Sequence, residues 1–330
     1  MVYTDVVDDP YPAEVPKYTS NQIQAYYERI KLPASYRVIS VASIANTKEG
    51  LDFLTVLQHH QLAAVPFENL ELHYSSHHTI SIDPEHLFHK IVDRNAGRGG
   101  YCMENNCFFG TILRTLGFDV FAVGAKVNSA MQAVSSNKNW KGPKYGGWSH
   151  MLNIVTINEQ RYMIDVGFGS GAANDPIPMI NDYTAPLIGK QEMRLIYDTV
   201  PDFTNKQSKL WQYQHRNGSD KPWIPTYAFS DMEFTPSDFL VMNYSTSTNR
   251  KSWFTHSVVC RTMILEDGEL VGDITLFNDE VKKRVRDGDA EVIAKFQTES
   301  ERVKALDGFL GVKLSQVERA GIRGLRSEIL

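Results

Sequence analysis

Apolar residues recur at every third or fourth position through the first third of the chain, and then the period shortens. Ile23, Tyr27 and Ile30 mark one helical face, with Ser20 expected as its cap. Leu51, Leu54 and Leu57 mark a second, with Asn46 as N-cap and Glu49 as the capping-box partner. Asp83 followed by Pro84 predicts a third start, because proline at the first helical position gives up no hydrogen bond; Leu87 and Ile91 supply the apolar face. Cys107, Phe108, Ile112 and Leu116 belong to a fourth helix beginning near Cys102, and Gly117 is placed to stop it.

From residue 118 the pattern changes to strands, expected over 118–127, 148–157 and 161–168, and again around 193–197, 211–215 and 258–265. Residues 128–145, rich in Ser, Asn, Lys and Gly, read as a long loop, and loops of that length inside a domain are often functional. The charged stretches 278–286 and 290–304 are expected to be helical again. Helical, then β, then mixed is the order of an α+β chain rather than of alternating βαβ units.

Composition narrows the class. With 42% apolar residues the chain is globular, and 330 residues suit two domains or one large elaborated one. A net charge of −5 argues against nucleic acid as the main partner. The first sixteen residues are acidic and proline-punctuated, unlike a secretory signal, and no apolar run is long enough to cross a bilayer. Three cysteines make no disulfide framework, so a reducing, cytoplasmic setting is expected, with no membrane partner. No Walker-type loop and no zinc-site spacing is present, so no metal is expected.

The chemistry concentrates in Arg98-Gly99-Gly100-Tyr101-Cys102-Met103-Glu104-Asn105-Asn106. Two glycines lead to a cysteine at a helix start, where orphan N–H groups and the helix dipole stabilise a thiolate. The residues alone leave two readings open: nucleophile, or small packing residue at a buried helix end. Cys107 and Cys260 lie among apolar residues and read as core. The seven histidines from His59 to His89 have no local partner and read as packed or solvated. His150 differs, lying in a strand that follows the long loop. A turn through Glu159 and Gln160 would fold the next strand back on it; opposite parity then puts His150 and Asp165 on one face, as diagonal neighbours. An aspartate between Ile164 and Val166 needs a partner, and an imidazolium suits it. Cys102 as nucleophile, His150 as base and Asp165 as orienter follow the triad logic with sulfur in place of oxygen.

The segment 98–106 resembles the active-site motif of the arylamine N-acetyltransferases, Arg-Gly-Gly-aromatic-Cys-x-Glu/Gln-x-Asn. Pro66-Phe67-Glu68-Asn69-Leu70 is similar to that family's upstream motif, and His150 and Asp165, followed by Val166-Gly167-Phe168-Gly169, match its other triad members. The likeness covers roughly residues 20–285. It implies an N-terminal helical bundle (1–117), a central β-barrel (118–225) and a C-terminal α/β lid with a helical tail (226–330), around a cysteine-protease-like Cys-His-Asp core. It also implies ping-pong transfer from acetyl-CoA or malonyl-CoA to an arylamine or arylhydrazine through a Cys102 thioester. By the same resemblance Phe67 and Phe168 line the acceptor pocket, Gly146 and Gly147 border the approach of coenzyme A, and Ser247 and Thr248 fall near its hydroxyl contacts.

Two departures stand out: Asn105 replaces an apolar residue, and the cysteine-to-histidine separation is long, with the extra length in 129–144. Fungal members resemble this chain in length and some prefer malonyl-CoA; Arg98, Lys141 and Lys144 are neighbourhood candidates for a malonyl carboxylate. A thiol hydrolase or transglutaminase-like enzyme would use the same triad, and a non-catalytic binding module would keep only the fold.

Overall fold

A computed structural model describes residues 15–131, 143–169 and 171–330. The helical region holds α1 (Ser20–Arg29), α2 (Lys48–Ala64), the two-residue strand β1 (Phe67–Glu68), α3 (Pro84–Phe88) with a π-helical turn after it, and α4 (Cys102–Leu116). Their buried faces form one core, in which Ile23, Tyr26 and Leu54 meet Phe108, Ile112 and Leu116 of α4. Gly117 adopts φ +103° and ends α4, as expected of a left-handed cap. The first two caps differ from expectation by one residue. Thr19 accepts from the Gln22 N–H and Thr47 from the Gly50 N–H, which leaves Ser20 inside α1 and Asn46 outside α2. Asp83 does cap α3, accepting from the His86 N–H at 2.8 Å.

Eight antiparallel strands follow in the order β5-β4-β3-β2-β9-β8-β7-β6 and curl into a nearly closed barrel. They are β2 (Asp119–Asn128), β3 (Tyr145–Ile157), β4 (Gln160–Ile164), β5 (Ile177–Pro178), β6 (Tyr183–Pro186), β7 (Glu192–Asp198), β8 (Leu210–Arg216) and β9 (Ile224–Phe229). Inside it, Val123, Leu152, Met163, Leu195, Tyr213 and Phe229 pack together. The β3–β4 turn is Asn158-Glu159, one residue earlier than expected, with φ +47° and +66°. That two-residue turn pairs Asn153 with Ile164, which preserves the expected parity. β4 stops at Ile164, so Asp165 to Phe168 leave the sheet instead of continuing the strand. The Val166 N–H is drawn away to Asn106 Oδ1 on α4 at 3.0 Å.

After α5 (Pro236–Thr248), a second antiparallel sheet has the order β1-β10-β11-β12-β13. Its long strands are β10 (Val259–Glu266), β11 (Glu269–Phe277), β12 (Glu280–Val285) and β13 (Glu291–Lys295). Helices α6 (Glu299–Leu310) and α7 (Gln316–Gly321) close the chain, with Val303, Leu306 and Ile322 packed on Leu276 and Val281. The helix expected over 278–286 is therefore a strand, and only 299–304 of the stretch 290–304 is helical. The reason is local: Asn278 takes φ +52° in a two-residue turn, Phe277 pairs with Glu280, and Val281 is buried while the lysines after it face out. β1 is the hinge of the layout, since it comes from the helical region yet pairs with β10. No described helix is long and apolar enough to span a membrane.

Candidate active site

The start of α4 is held by the segment before β1. Gly100 N–H donates to Pro66 O at 3.3 Å and Glu68 N–H to Gly100 O at 3.0 Å. The approach is so close that a Cβ on Gly99 would sit 2.0 Å from Pro66 O, which only glycine avoids. Beneath it lies a buried ion cluster. Arg98 bonds Glu68 through Nε at 2.9 Å, Glu71 at 3.1 Å and Glu318 at 3.0 Å, while Lys90 bonds Glu104 at 2.7 Å. Arg98 is fully buried and committed to three carboxylates, so it is not free to receive a malonyl group. Lys141 and most of the long loop lie outside the described residues; Lys144 is exposed, its backbone tied to Asn128.

Cys102 opens α4, nearly buried, with its thiol 3.7 Å from Ser149 O and close enough to the next side chain, His150, to favour its charged form. His150 Nε2 lies 2.8 Å from Asp165 Oδ2. Burial works against the imidazolium, but the Asp165 charge and hydrogen bond, with the Cys102 contact, outweigh it and push His150 up to about 10. Burial would raise Asp165, but His150 and the bonds from Asn106 and the Gly167 N–H hold it below the usual carboxylate range. Asp165 is therefore no strand-end residue facing water: it is completely buried.

Asn106, quoted in the motif but given no task from sequence, joins these parts. Its Nδ2 donates to Met151 O at 2.7 Å and to Asp165 Oδ1 at 3.0 Å. Tyr227 is a second residue that sequence missed, its ring 5.0 Å from His150 and 4.9 Å from Phe168. Asn105 is buried; it donates to Pro66 O at 3.2 Å while its Oδ1 makes no bond. Cys107 is half-buried against the helical core and donates to Ile82 O, with desolvation pushing its thiol up to about 12, while Cys260 is buried in β10, so both pack with apolar residues as expected. His59, given no partner from sequence, meets Asp175 at 2.5 Å.

A cleft of about 510 Å³ opens over Cys102 and His150. Phe67, Phe168, Gly146 and Gly147 line it, with Trp148, Trp253, Phe254, Phe277, Thr275 and Arg261. From α5 the lining residues are Ser245 and Thr246, not Ser247 and Thr248. The Ser247 hydroxyl turns into the helix toward Asn243 O, and Thr248 donates to Tyr244 O, so neither hydroxyl is offered to this cleft. Among the described residues, no cluster of three His, Cys, Asp or Glu could hold a metal ion.

Comparison with known proteins fits this geometry. A family model described as N-acetyltransferase matches residues 50–319. The chain belongs to the arylamine N-acetyltransferase family. It is accordingly an acyltransferase. A family relative, N-malonyltransferase FDB2 of Fusarium pseudograminearum, is 39% identical over 96% of this chain and 94% of its own length. FDB2 of Gibberella moniliformis is 37% identical over 92% of this chain and 91% of its own. The fold matches the Mycobacterium marinum arylamine N-acetyltransferase in complex with CoA at TM-score 0.71 and 23% identity, covering 93% of this chain and 98% of that one. The Salmonella typhimurium enzyme gives 0.72 at 23% identity, covering 92% and 98%. The helical bundle, barrel and lid are thus the family architecture.

Proposed function

We propose that the protein moves a short acyl group from a coenzyme A thioester to an arylamine or arylhydrazine nitrogen by way of a Cys102 thioester. The observation that carries this is the grouping of Cys102, His150 and Asp165, built from a helix start, a strand and the segment after a strand, with Cys102 and His150 at the wall of one cleft and Asp165 buried behind, bonded to His150.

In the first half-reaction Cys102 Sγ attacks the donor carbonyl, a new C–S bond forms, and coenzyme A leaves. His150 takes the thiol proton and returns it to the departing thiolate. Asp165 stabilises the imidazolium and fixes the ring. The Cys102 backbone N–H, among the orphan donors of the first turn of α4, faces the developing oxyanion. In the second half the amine nitrogen attacks the thioester, its proton passes to His150, and Cys102 is released. Phe67, Phe168 and the stacked pair Trp253 and Phe254, 4.0 Å apart, give a flat ring apolar surfaces to lie on. Gly146 and Gly147 leave the donor's path open, with no atom within 4 Å of a Cβ placed on Gly147. The FDB2 relatives, named as malonyltransferases, support malonyl as the donor acyl group.

Intact mass after incubation with acetyl-CoA or malonyl-CoA, without acceptor, tests this. One acyl adduct is expected, lost in Cys102→Ala and discharged by an arylamine. Adduct-free protein that hydrolyses thioesters would favour the hydrolase reading, and inert protein the binding module.

A further inference from the structure

Arg261 is a buried guanidinium in the wall of the cleft with two of its three nitrogens lacking a hydrogen-bond acceptor. It is only 5% exposed, and neither Nε nor Nη1 has a hydrogen-bond acceptor among the described residues. Asp273 Oδ1 lies 3.2 Å from Nε as an ion pair, but its geometry leaves that N–H unbonded. Asp273 is moreover shared: its other oxygen pairs with Arg284 at 3.1 Å, and Thr275 donates to the first. One carboxylate facing two guanidiniums leaves a net positive charge in a buried place. Such a charge is costly unless an anion completes it.

The sheet aims that charge at the reacting sulfur's side of the cleft. Gly100, two residues before Cys102, bridges to Phe67, and Phe67 is directly opposite Arg261, which is opposite Thr275. Directly opposed residues share a face, and Phe67, Arg261 and Thr275 all line the cleft with Cys102. The surrounding wall is aromatic. A smaller recess of about 30 Å³, lined by Arg284 as well, opens beside the cleft and shares Phe67, Gly169 and Arg261 with it.

We propose that Arg261 is the specificity residue of the acyl subsite, pairing with the free carboxylate of a malonyl-type donor. The guanidinium fork bonds a carboxylate through two N–H groups, which a plain acetyl group cannot supply. This rests on the thioester chemistry of Cys102 proposed above, and its test separates the two.

The measurement is kcat/KM and acyl-adduct mass for three donors: malonyl-CoA, acetyl-CoA and isovaleryl-CoA, a neutral near-isostere of malonyl-CoA. Wild type is expected to prefer malonyl-CoA over isovaleryl-CoA by at least about tenfold, on the scale of one charge-assisted bond. In Arg261→Gln the malonyl value should fall about 100-fold, the cost of removing one partner of a buried charge pair, while the other two donors change little. Arg261→Lys should recover part of the malonyl preference. An equal fall for all three donors would make Arg261 merely structural and overturn the proposal. If Arg261→Gln does not fold, wild type decides: no preference for malonyl-CoA over isovaleryl-CoA overturns it. A Cys102 adduct from acetyl-CoA but not from malonyl-CoA would also overturn it while leaving the thioester mechanism standing. No adduct from any donor would instead remove the mechanism on which it rests.

Discussion

His150 and Asp165 are joined at 2.8 Å although Asp165 sits one residue past the end of its strand. The strand delivers the carboxylate and Asn106 turns it. This pairing sets a pH signature. His150 has a folded-state value of about 10, above its ordinary 6.5, so the pairing stabilises the fold fully below about 6.5 and the benefit is lost as pH rises through about 10. Asp165 is depressed, so its share is present above the ordinary carboxylate range and lost as pH falls below it. Denaturation midpoints from pH 7 to 10 should fall more steeply in wild type than in Asp165→Asn, whose turnover should drop by about 10²–10⁴. Identical slopes for the two proteins would contradict this pairing energy.

Asn106→Ala should damage both fold and site. It removes donors to Met151 O and Asp165 and the acceptor for the Val166 N–H, all buried. A cost of roughly 2–4 kcal/mol is expected from unpartnered buried groups, with kcat falling more than KM because Asp165 loses its orientation. Urea titration and steady-state kinetics check it; unchanged kcat would mean that His150 and the Gly167 N–H suffice to hold Asp165.

Much of this was legible in the sequence, for identifiable reasons. The triad could be read because two glycines lead to Cys102 and because hairpin parity survives a one-residue error in the turn: moving it from Glu159-Gln160 to Asn158-Glu159 changes each pair but not which residues share a face. The C-terminal strands were missed because Lys282 and Lys283 look amphipathic at helical spacing, whereas the decisive signal was the Asn278-Asp279 turn. Arg261 went unnoticed although the reasoning applied to Asp165, a charge within an apolar strand, applies to it equally. Ser247 and Thr248 were placed by resemblance alone, and a helix puts neighbours 100° apart, so a slip of one residue turns a hydroxyl from cleft to core.

Two glycines near the site should behave oppositely. A Cβ on Gly147 meets nothing within 4 Å, so Gly147→Val should leave the melting temperature nearly unchanged yet raise KM for the acyl-CoA donor. A Cβ on Gly167 would lie 2.8 Å from Cys102 Cα and 2.7 Å from Asn106 Nδ2. Gly167→Ala should therefore lower both stability and turnover. Equal thermal shifts in the two variants would show that packing at Gly167 relaxes more readily than its neighbours suggest.

Cys107→Ala should keep most of the activity, because its half-buried thiol bonds only Ile82 O and takes no part in the grouping at Cys102. Loss of the acyl adduct from folded Cys107→Ala protein, seen by intact mass, would assign the nucleophile to the wrong cysteine.

The ion cluster beneath Gly99 should report through the start of α4. Glu68 accepts from Arg98, from the Gly99 N–H at 3.3 Å and from the Leu70 N–H at 2.5 Å. Burial opposes its charge, but Arg98 and Lys90 outweigh this and hold it at about 2, below the ordinary 4.5. Its contribution is thus present above about 4.5 and lost as pH falls toward about 2. Glu68→Gln removes that charge and leaves Arg98 and Lys90 under-compensated, at an expected cost of about 3–5 kcal/mol. The acid limb of the stability profile should flatten in the variant. Turnover should fall with it, because Gly99 and Gly100 fix the backbone that aims Cys102. If stability drops while turnover of the folded fraction is unchanged, the cluster holds the fold without positioning the nucleophile.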